Sequence, residues 1–303
     1  MVTLFFVVSL ISSSSDINAL SSGARLLRAP LRVEKPLEVG EWYAKNFGVA
    51  TKEVESTVEV QFSCDFCLEL TSSEAIKAYD ASAPGLLEVG LQLGSETAVF
   101  KACEGSEIEP EDFIVCASLI PDENPEKETT MTVAYLEDPS GLRVAAIADE
   151  TPQPGIFPAP KIVLCVSDLD ASIKFYEEVL GMRLLRKRAQ LPMIAALSAF
   201  FAFSDRDPES LKASAEGVDD KATPRIELRY LYGNDDVFPD RGLGDIQIAD
   251  PRDPHLIIDA ATKHAKENDQ EDPKCETLQD GSVRLCDPDG YAYHILSASE
   301  TKR

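Results

Sequence analysis

A self-repeat constrains this chain more than any other feature. LRVEKPLEVGEWYAKNFGV (31–49) and LCVSDLDASIKFYEEVLGM (164–182) each carry a strand ending in Val33 or Val166, nine intervening residues to Tyr43 or Tyr176, and a terminal Gly48 or Gly181. In the second copy Ile173, Tyr176, Val179 and Leu180 fall at helical spacing behind Ser167 or Asp168 as N-cap. The pattern therefore predicts strand, cap, amphipathic helix and glycine stop. Each copy runs on into strands: CLEL (67–70) answers IELR (226–229), and YLEDPSGLRVAAI (135–147) answers RLCDPDGYAYHIL (284–296). The DPSG and DPDG tetrads read as hairpin turns whose glycine supplies a positive φ.

Between the copies, DETPQPGIFPAP (149–160) has four prolines and one glycine, which predicts a linker without regular structure. Two domains follow, 26–149 and 160–298, separated by a linker over 150–159. GLLEVGLQL (85–93) and GLGDIQIAD (242–250) open a second strand–helix–strands unit in each domain, and the charged stretch 205–223 reads as a loop insertion.

With 53 Asp+Glu against 29 Lys+Arg, the 303 residues carry a formal charge of −24. So acidic a surface repels phosphate backbones, and no basic cluster interleaved with aromatics offsets it, which argues against nucleic-acid binding. The apolar run 4–11 is too short to span a bilayer, so no membrane partner is expected. Followed by Ser-rich sequence, Ala19 and an Arg-containing stretch without acids up to Glu34, that run predicts a signal and transit-like leader over 1–25. Such a leader implies an organelle reached by the secretory route, such as a complex plastid, with cytoplasmic or secreted location as the alternative. Seven unevenly spaced cysteines indicate no disulfide framework. Cys64 and Cys67 form a C-x-x-C, but FSCDFCLEL (62–70) reads as a strand that would point them to opposite faces. His255 and His264, near or on a polar helix (254–268), read as solvated.

The stretches 164–188, 225–234 and 286–296 resemble the vicinal-oxygen-chelate (VOC) superfamily, specifically the two-domain, plant-type glyoxalase I (lactoylglutathione lyase). The resemblance covers nearly all of 26–298. It implies an α+β fold of two tandem VOC domains, with four βαβββ modules forming two open barrels, the first module paired with the fourth and the second with the third. It further implies metal-dependent isomerisation of the glutathione–methylglyoxal hemithioacetal, with a divalent Ni, Zn, Co or Mn ion and glutathione as co-substrate.

Carried over by position, the resemblance assigns the first barrel's ligand positions to Arg28, Glu69, Asp245 and His294. Glu69, Asp245 and His294 are then the expected metal ligands, His294 with Glu69 the catalytic pair, and Arg32, Ser73 and Arg28 the substrate-binding residues. Glu69, Asp245 and His294 offer oxygen and imidazole donors suited to a divalent ion. If His294 stays off the metal, its imidazole is the natural base. Arg28, permanently charged, would repel a metal and is expected to pair with Glu69 or Asp245 instead. The second barrel presents Glu88, Ala145, Lys161 and Glu227, with Cys165 and Leu231 at the substrate positions. A protonated Lys cannot ligate, so this barrel is expected to be the structural, degenerate half. Two other readings stand beside the enzyme: a catalytically degenerate VOC protein that binds a small molecule without turnover, and an extradiol dioxygenase, which would need two histidines where the chain offers one. A two-domain chain can close both barrels within a monomer.

Overall fold

Each half of the repeat folds into two βαβββ modules, four in all, in a computed structural model that describes residues 23–62, 65–74, 78–80, 82–118, 128–149, 158–189, 195–204, 223–233, 236–268 and 273–297. The leader up to residue 22, Cys64, linker residues 150–157 and insertion residues 205–222 lie outside the described residues. The first module comprises β1 (Arg25–Arg32), α1 (Pro36–Phe47), β2 (Ala50–Val54), β3 (Thr57–Gln61) and β4 (Cys67–Thr71). The second comprises β5 (Leu86–Gln92), α2 (Glu96–Ala102), β6 (Glu111–Ser118), β7 (Glu128–Glu137) and β8 (Arg143–Asp149). β9 (Ala159–Cys165), α3 (Leu169–Glu178), β10 (Arg183–Ala189), β11 (Ala196–Ala202) and β12 (Arg225–Leu231) form the third. The fourth is β13 (Ile246–Asp250), α4 (Pro254–Glu267), β14 (Cys275–Thr277), β15 (Val283–Cys286) and β16 (Ala292–Ser297).

Local chemistry sets the helix ends. Asp168 caps α3 by accepting from the Ala171 amide at 3.0 Å, and Asp253 caps α4 by accepting from His255 N at 2.9 Å. α1 has proline in its first turn and stops at Gly48, whose φ of 66° is one a side chain rarely adopts.

Modules one and four share an eight-stranded sheet in the order β14-β15-β16-β13-β1-β4-β3-β2, as the resemblance implies. Modules two and three form the ring β10-β11-β12-β9-β5-β8-β7-β6. This second barrel is closed rather than open, because β6 and β10 pair antiparallel through Lys187↔Ser118 and Arg188↔Ala117. Closure removes both sheet edges. The strand expected over 62–70 begins only at Cys67, since Asp65 turns the chain at a φ of 59°. The proline-rich linker also ends earlier than expected: Ala159 and Pro160 already pair with Gln92 and Leu91 at the start of β9, where a proline is tolerated.

One apolar core runs through both halves, taking Val39 from α1, Val99 from α2, Ile173 from α3 and Ile257 from α4. The repeat's two motifs meet inside it. The Tyr176 hydroxyl of module three lies 3.1 Å from Asp287 Oδ2 in the DPDG turn of module four. Tyr43 and Asp138 occupy the matching positions in the first half; Tyr43 Oη and Asp138 Oδ2 are buried, without a hydrogen-bond partner among the described residues. The Tyr176–Asp287 pair therefore spans the closed barrel and the open sheet.

The loop ahead of β13 docks on the entrance to β5. A Cβ on Gly85 would stand 2.1 Å from the Phe238 carbonyl oxygen, a backbone atom held by the Phe238 N to Pro84 O bond of 2.8 Å. Gly85→Ala should therefore cost about 3 kcal/mol through overpacking, read as a lower urea midpoint with unchanged slope.

Candidate functional site

Strand alternation gives the open sheet one face packed on helices and one half-exposed. Ala29, Leu31, Val58, Val60, Leu68 and Leu70 are buried, while Arg28, Arg32, Glu59, Glu69, Gln247 and His294 alternate with the buried set and are partly accessible. Register aligns Arg284, His294, Gln247, Arg28, Cys67 and Gln61 in one row across β15, β16, β13, β1, β4 and β3. A cavity of about 590 Å³ opens at one end of this face, lined by Arg25, Arg28, Glu59, Gln61, Cys67 and Gln247 among others.

Of the site residues expected from sequence, Arg28 alone lines that cavity. Its guanidinium bonds Glu69 and, at 3.1 Å, Glu59. Asp245 lies one residue before β13, outside the ladder, and takes two hydrogen bonds from Arg284, at 2.5 Å and 3.2 Å. His294 Nε2 lies 2.7 Å from Ser282 Oγ, which in turn lies 2.5 Å from Asp280 Oδ1. Glu69, Asp245 and His294 are thus not a ligand set. Each is held by a different neighbour, and among the described residues no three His, Cys, Asp or Glu side chains converge on a point where an ion would sit. The reason is charge: a guanidinium on Glu69 and another on Asp245 occupy the lone pairs a metal would need. Arg32 lies at the far end of β1 from the cavity, and Ser73 is exposed beyond β4, its amide donating to Thr71 Oγ1 at 3.0 Å.

Hydrogen-bond direction fixes more about His294. Ser282 amide and hydroxyl both serve Asp280, holding its carboxyl below the usual carboxylate range. An ionised Asp280 has no proton to give, so the single hydroxyl proton of Ser282 goes to it. Ser282 Oγ therefore accepts from His294 Nε2–H, and Nδ1 is the basic nitrogen of the neutral ring. Cys67 is no nucleophile here, since burial pushes its thiol up to about 11 despite Arg28 beside it.

Inside the closed barrel the structure does bring Glu88, Lys161 and Glu227 together. Lys161 Nζ meets Glu227 at 2.7 Å, and Arg229 bridges Glu227 at 2.8 Å and Glu88 at 3.0 Å. Arg143 caps Glu88 at 2.7 Å, and Ser198 donates to Glu227 at 2.7 Å. Burial alone would raise both acids, but Arg229 and the neighbouring cations outweigh it and hold both carboxyls below their ordinary values. Gly90 makes the room: a Cβ there would stand 2.4 Å from Lys161 Cε. Ala145 is buried in the barrel wall and offers no polar atom. His264, expected to be solvated, is instead 98% buried, packed edge-on to Phe175 at 5.7 Å with Nδ1 3.0 Å from Glu178 of α3. It crosslinks α3 and α4 rather than facing water.

Four βαβββ modules, paired first with fourth and second with third, define a tandem module architecture with one closed barrel and one sheet whose second face is half-exposed. The signature of the Glyoxalase/Bleomycin resistance protein/Dioxygenase superfamily matches residues 159–294. A lactoylglutathione lyase of Haemophilus influenzae is 32% identical over 143 residues, covering 46% of this chain and 92% of that protein. One from Oryza sativa subsp. japonica is 28% identical over 222 residues, 69% of this chain and 66% of its own length. The chain thus spans about two thirds of this plant relative, and 44% of a probable chloroplastic lactoylglutathione lyase of Arabidopsis thaliana. Glyoxalase I from Zea mays shares the fold at a TM-score of 0.66 and 20% identity, over 92% of this chain and 94% of that one. The chain belongs to the Glyoxalase/Bleomycin resistance protein/Dioxygenase superfamily.

Proposed function

We propose that the chain is an enzyme of the glyoxalase I type that binds the hemithioacetal of methylglyoxal and glutathione on the half-exposed face of the open sheet. The observation that carries this reading is His294: it stands on that face with its Nε2 proton directed to Ser282, which leaves Nδ1 to take the proton next to a carbonyl. Kinship with lactoylglutathione lyases supports the substrate class. The divalent ion that the resemblance implies does not fit these residues, because Arg28 and Arg284 occupy the carboxylates that would hold it.

Isomerase turnover of the hemithioacetal tests this reading. His294→Ala should lower kcat by about 100-fold or more, the scale of a lost general base. Ser282→Ala, which releases the ring, should alter the pH dependence of kcat/KM while sparing the fold. Absence of turnover in the full chain, or turnover unchanged by His294→Ala, overturns it. A second reading, small-molecule binding without turnover, is favoured by one specific observation: Glu69 and Asp245 both already carry arginine partners.

A further inference from the structure

The two halves of the repeat place a cation at the same position. Arg28 stands five residues before Val33 on the first strand of module one and bonds Glu69 on the last strand of that module. Lys161 stands five residues before Val166 on the first strand of module three and bonds Glu227 on the last strand of that module at 2.7 Å. In both modules these strands are parallel neighbours, β1 beside β4 and β9 beside β12, in the same register: Pro30↔Glu69 and Val163↔Glu227 each place the acid opposite the residue two beyond the cation. The remaining acids of the two sites are also bound by cations, Asp245 by Arg284 and Glu88 by Arg229 and Arg143.

We propose that Arg28 and Lys161 are built-in cations that have taken the place of a divalent ion in both halves, so that neither barrel binds one. A protonated ammonium or guanidinium in contact with a carboxylate supplies the positive charge that the carboxylate needs and offers no lone pair to a metal. A divalent ion entering beside it would meet like charge at hydrogen-bond distance. The surroundings then separate the two copies. Lys161 and Glu227 are 1% and 0% exposed, so their pair is core. Arg28 and Glu69 are 34% and 20% exposed beside the 590 Å³ cavity, so a solute oxygen arriving there meets guanidinium N–H rather than metal. The inference concerns ion binding alone and stands or falls whether or not the chain turns over a hemithioacetal.

The test is metal binding by the dialysed full chain, read by calorimetry and elemental analysis. Mn²⁺ and Ni²⁺ are the probes, because both take the carboxylate and imidazole donors that the site and its variants present. The unaltered chain should bind neither ion in a way that Glu69→Gln, Asp245→Asn or Glu227→Gln changes. The pair Arg28→His with Arg284→Gln frees Glu69 and Asp245 and adds a donor, and should bind Ni²⁺ at least 10-fold tighter than the unaltered chain. Adding Glu69→Gln to that pair should abolish the gain. One ion per unaltered chain, lost on Glu69→Gln or Asp245→Asn, overturns the proposal. So does a folded Arg28→His/Arg284→Gln protein, its circular dichroism unchanged, that gains no affinity.

Discussion

Glu227→Leu should destabilise the protein by about 3–5 kcal/mol, because it removes the carboxylate that Lys161 and Arg229 share inside the closed barrel. Lys161 is 1% exposed and meets Glu227 at 2.7 Å. Glu88 is engaged by Arg229 and Arg143, so it cannot swing to Lys161 without abandoning a guanidinium. The double variant Lys161→Met/Glu227→Leu should be more stable than Glu227→Leu alone by about 1 kcal/mol or more, because it removes a buried cation along with its carboxylate. Urea unfolding at pH 7 reads both. A loss under about 1 kcal/mol for the single variant would mean that water reaches the barrel interior. The matching change on the open face, Glu69→Leu, should cost less than about 1 kcal/mol, since Arg28 and Glu69 are 34% and 20% exposed and solvent screens the pair. One substitution at repeat-related positions thus has two magnitudes, decided by burial.

The repeat made the strand–helix–strands units legible, because a strand ending in valine, a capped helix and a glycine stop are local patterns. The start of β4 was not, since Asp65 at a positive φ breaks what reads as a continuous strand over 62–70. The resemblance placed site positions on strands, but it could not place their partners. Asp245 finds Arg284 39 residues away, and Arg229 finds Glu88 141 residues away. No periodicity carries such pairings. A signal for the filled barrel was nevertheless present in RIELR (225–229): charges at alternate positions of a strand, with Ile226 and Leu228 between them, require a charged face, and those charges are 1%, 0% and 2% exposed. Buried charges on one strand face predict counter-charges on its neighbours, here Lys161 and Glu88. His264 was misread for the converse reason. A helix rich in polar residues still buries one stripe, and His264 falls in it with Ile257, Ala261 and Ala265.

Stability should fall as pH rises from about 4 to about 8, and Asp287→Asn should remove most of that fall. Asp287 is buried in the DPDG turn, where burial, together with the charge of Asp289, pushes its carboxyl up to about 8. An unfolded aspartate releases its proton near pH 4, so between those values the native state binds more protons than the unfolded state. The proton therefore stabilises the fold fully below about pH 4, and each pH unit crossed up to about 8 removes at most about 1.4 kcal/mol. Glu88 and Glu227, held low by Arg229 and its neighbours, work in the opposite direction, contributing stability that is lost only as pH falls below the ordinary carboxylate range. Asparagine keeps an oxygen for the Asp289 and Tyr291 amides, which Asp287 Oδ1 accepts at 3.1 Å and 2.9 Å, and presents an N–H toward Tyr176 as the protonated acid would. Near pH 5 the variant should match the unaltered protein within about 1 kcal/mol, and at pH 8.5 it should exceed it by about 2 kcal/mol or more. Self-repulsion of a chain with net charge −24 also grows with pH, but it acts on both proteins, so the difference between them isolates this one carboxyl. Parallel stability curves from pH 5 to 8.5 would place the Asp287 proton elsewhere, and a converging pair would reverse the sign. That carboxyl sits at the hydrogen bond between Tyr176 of module three and Asp287 of module four, which links the closed barrel to the open sheet.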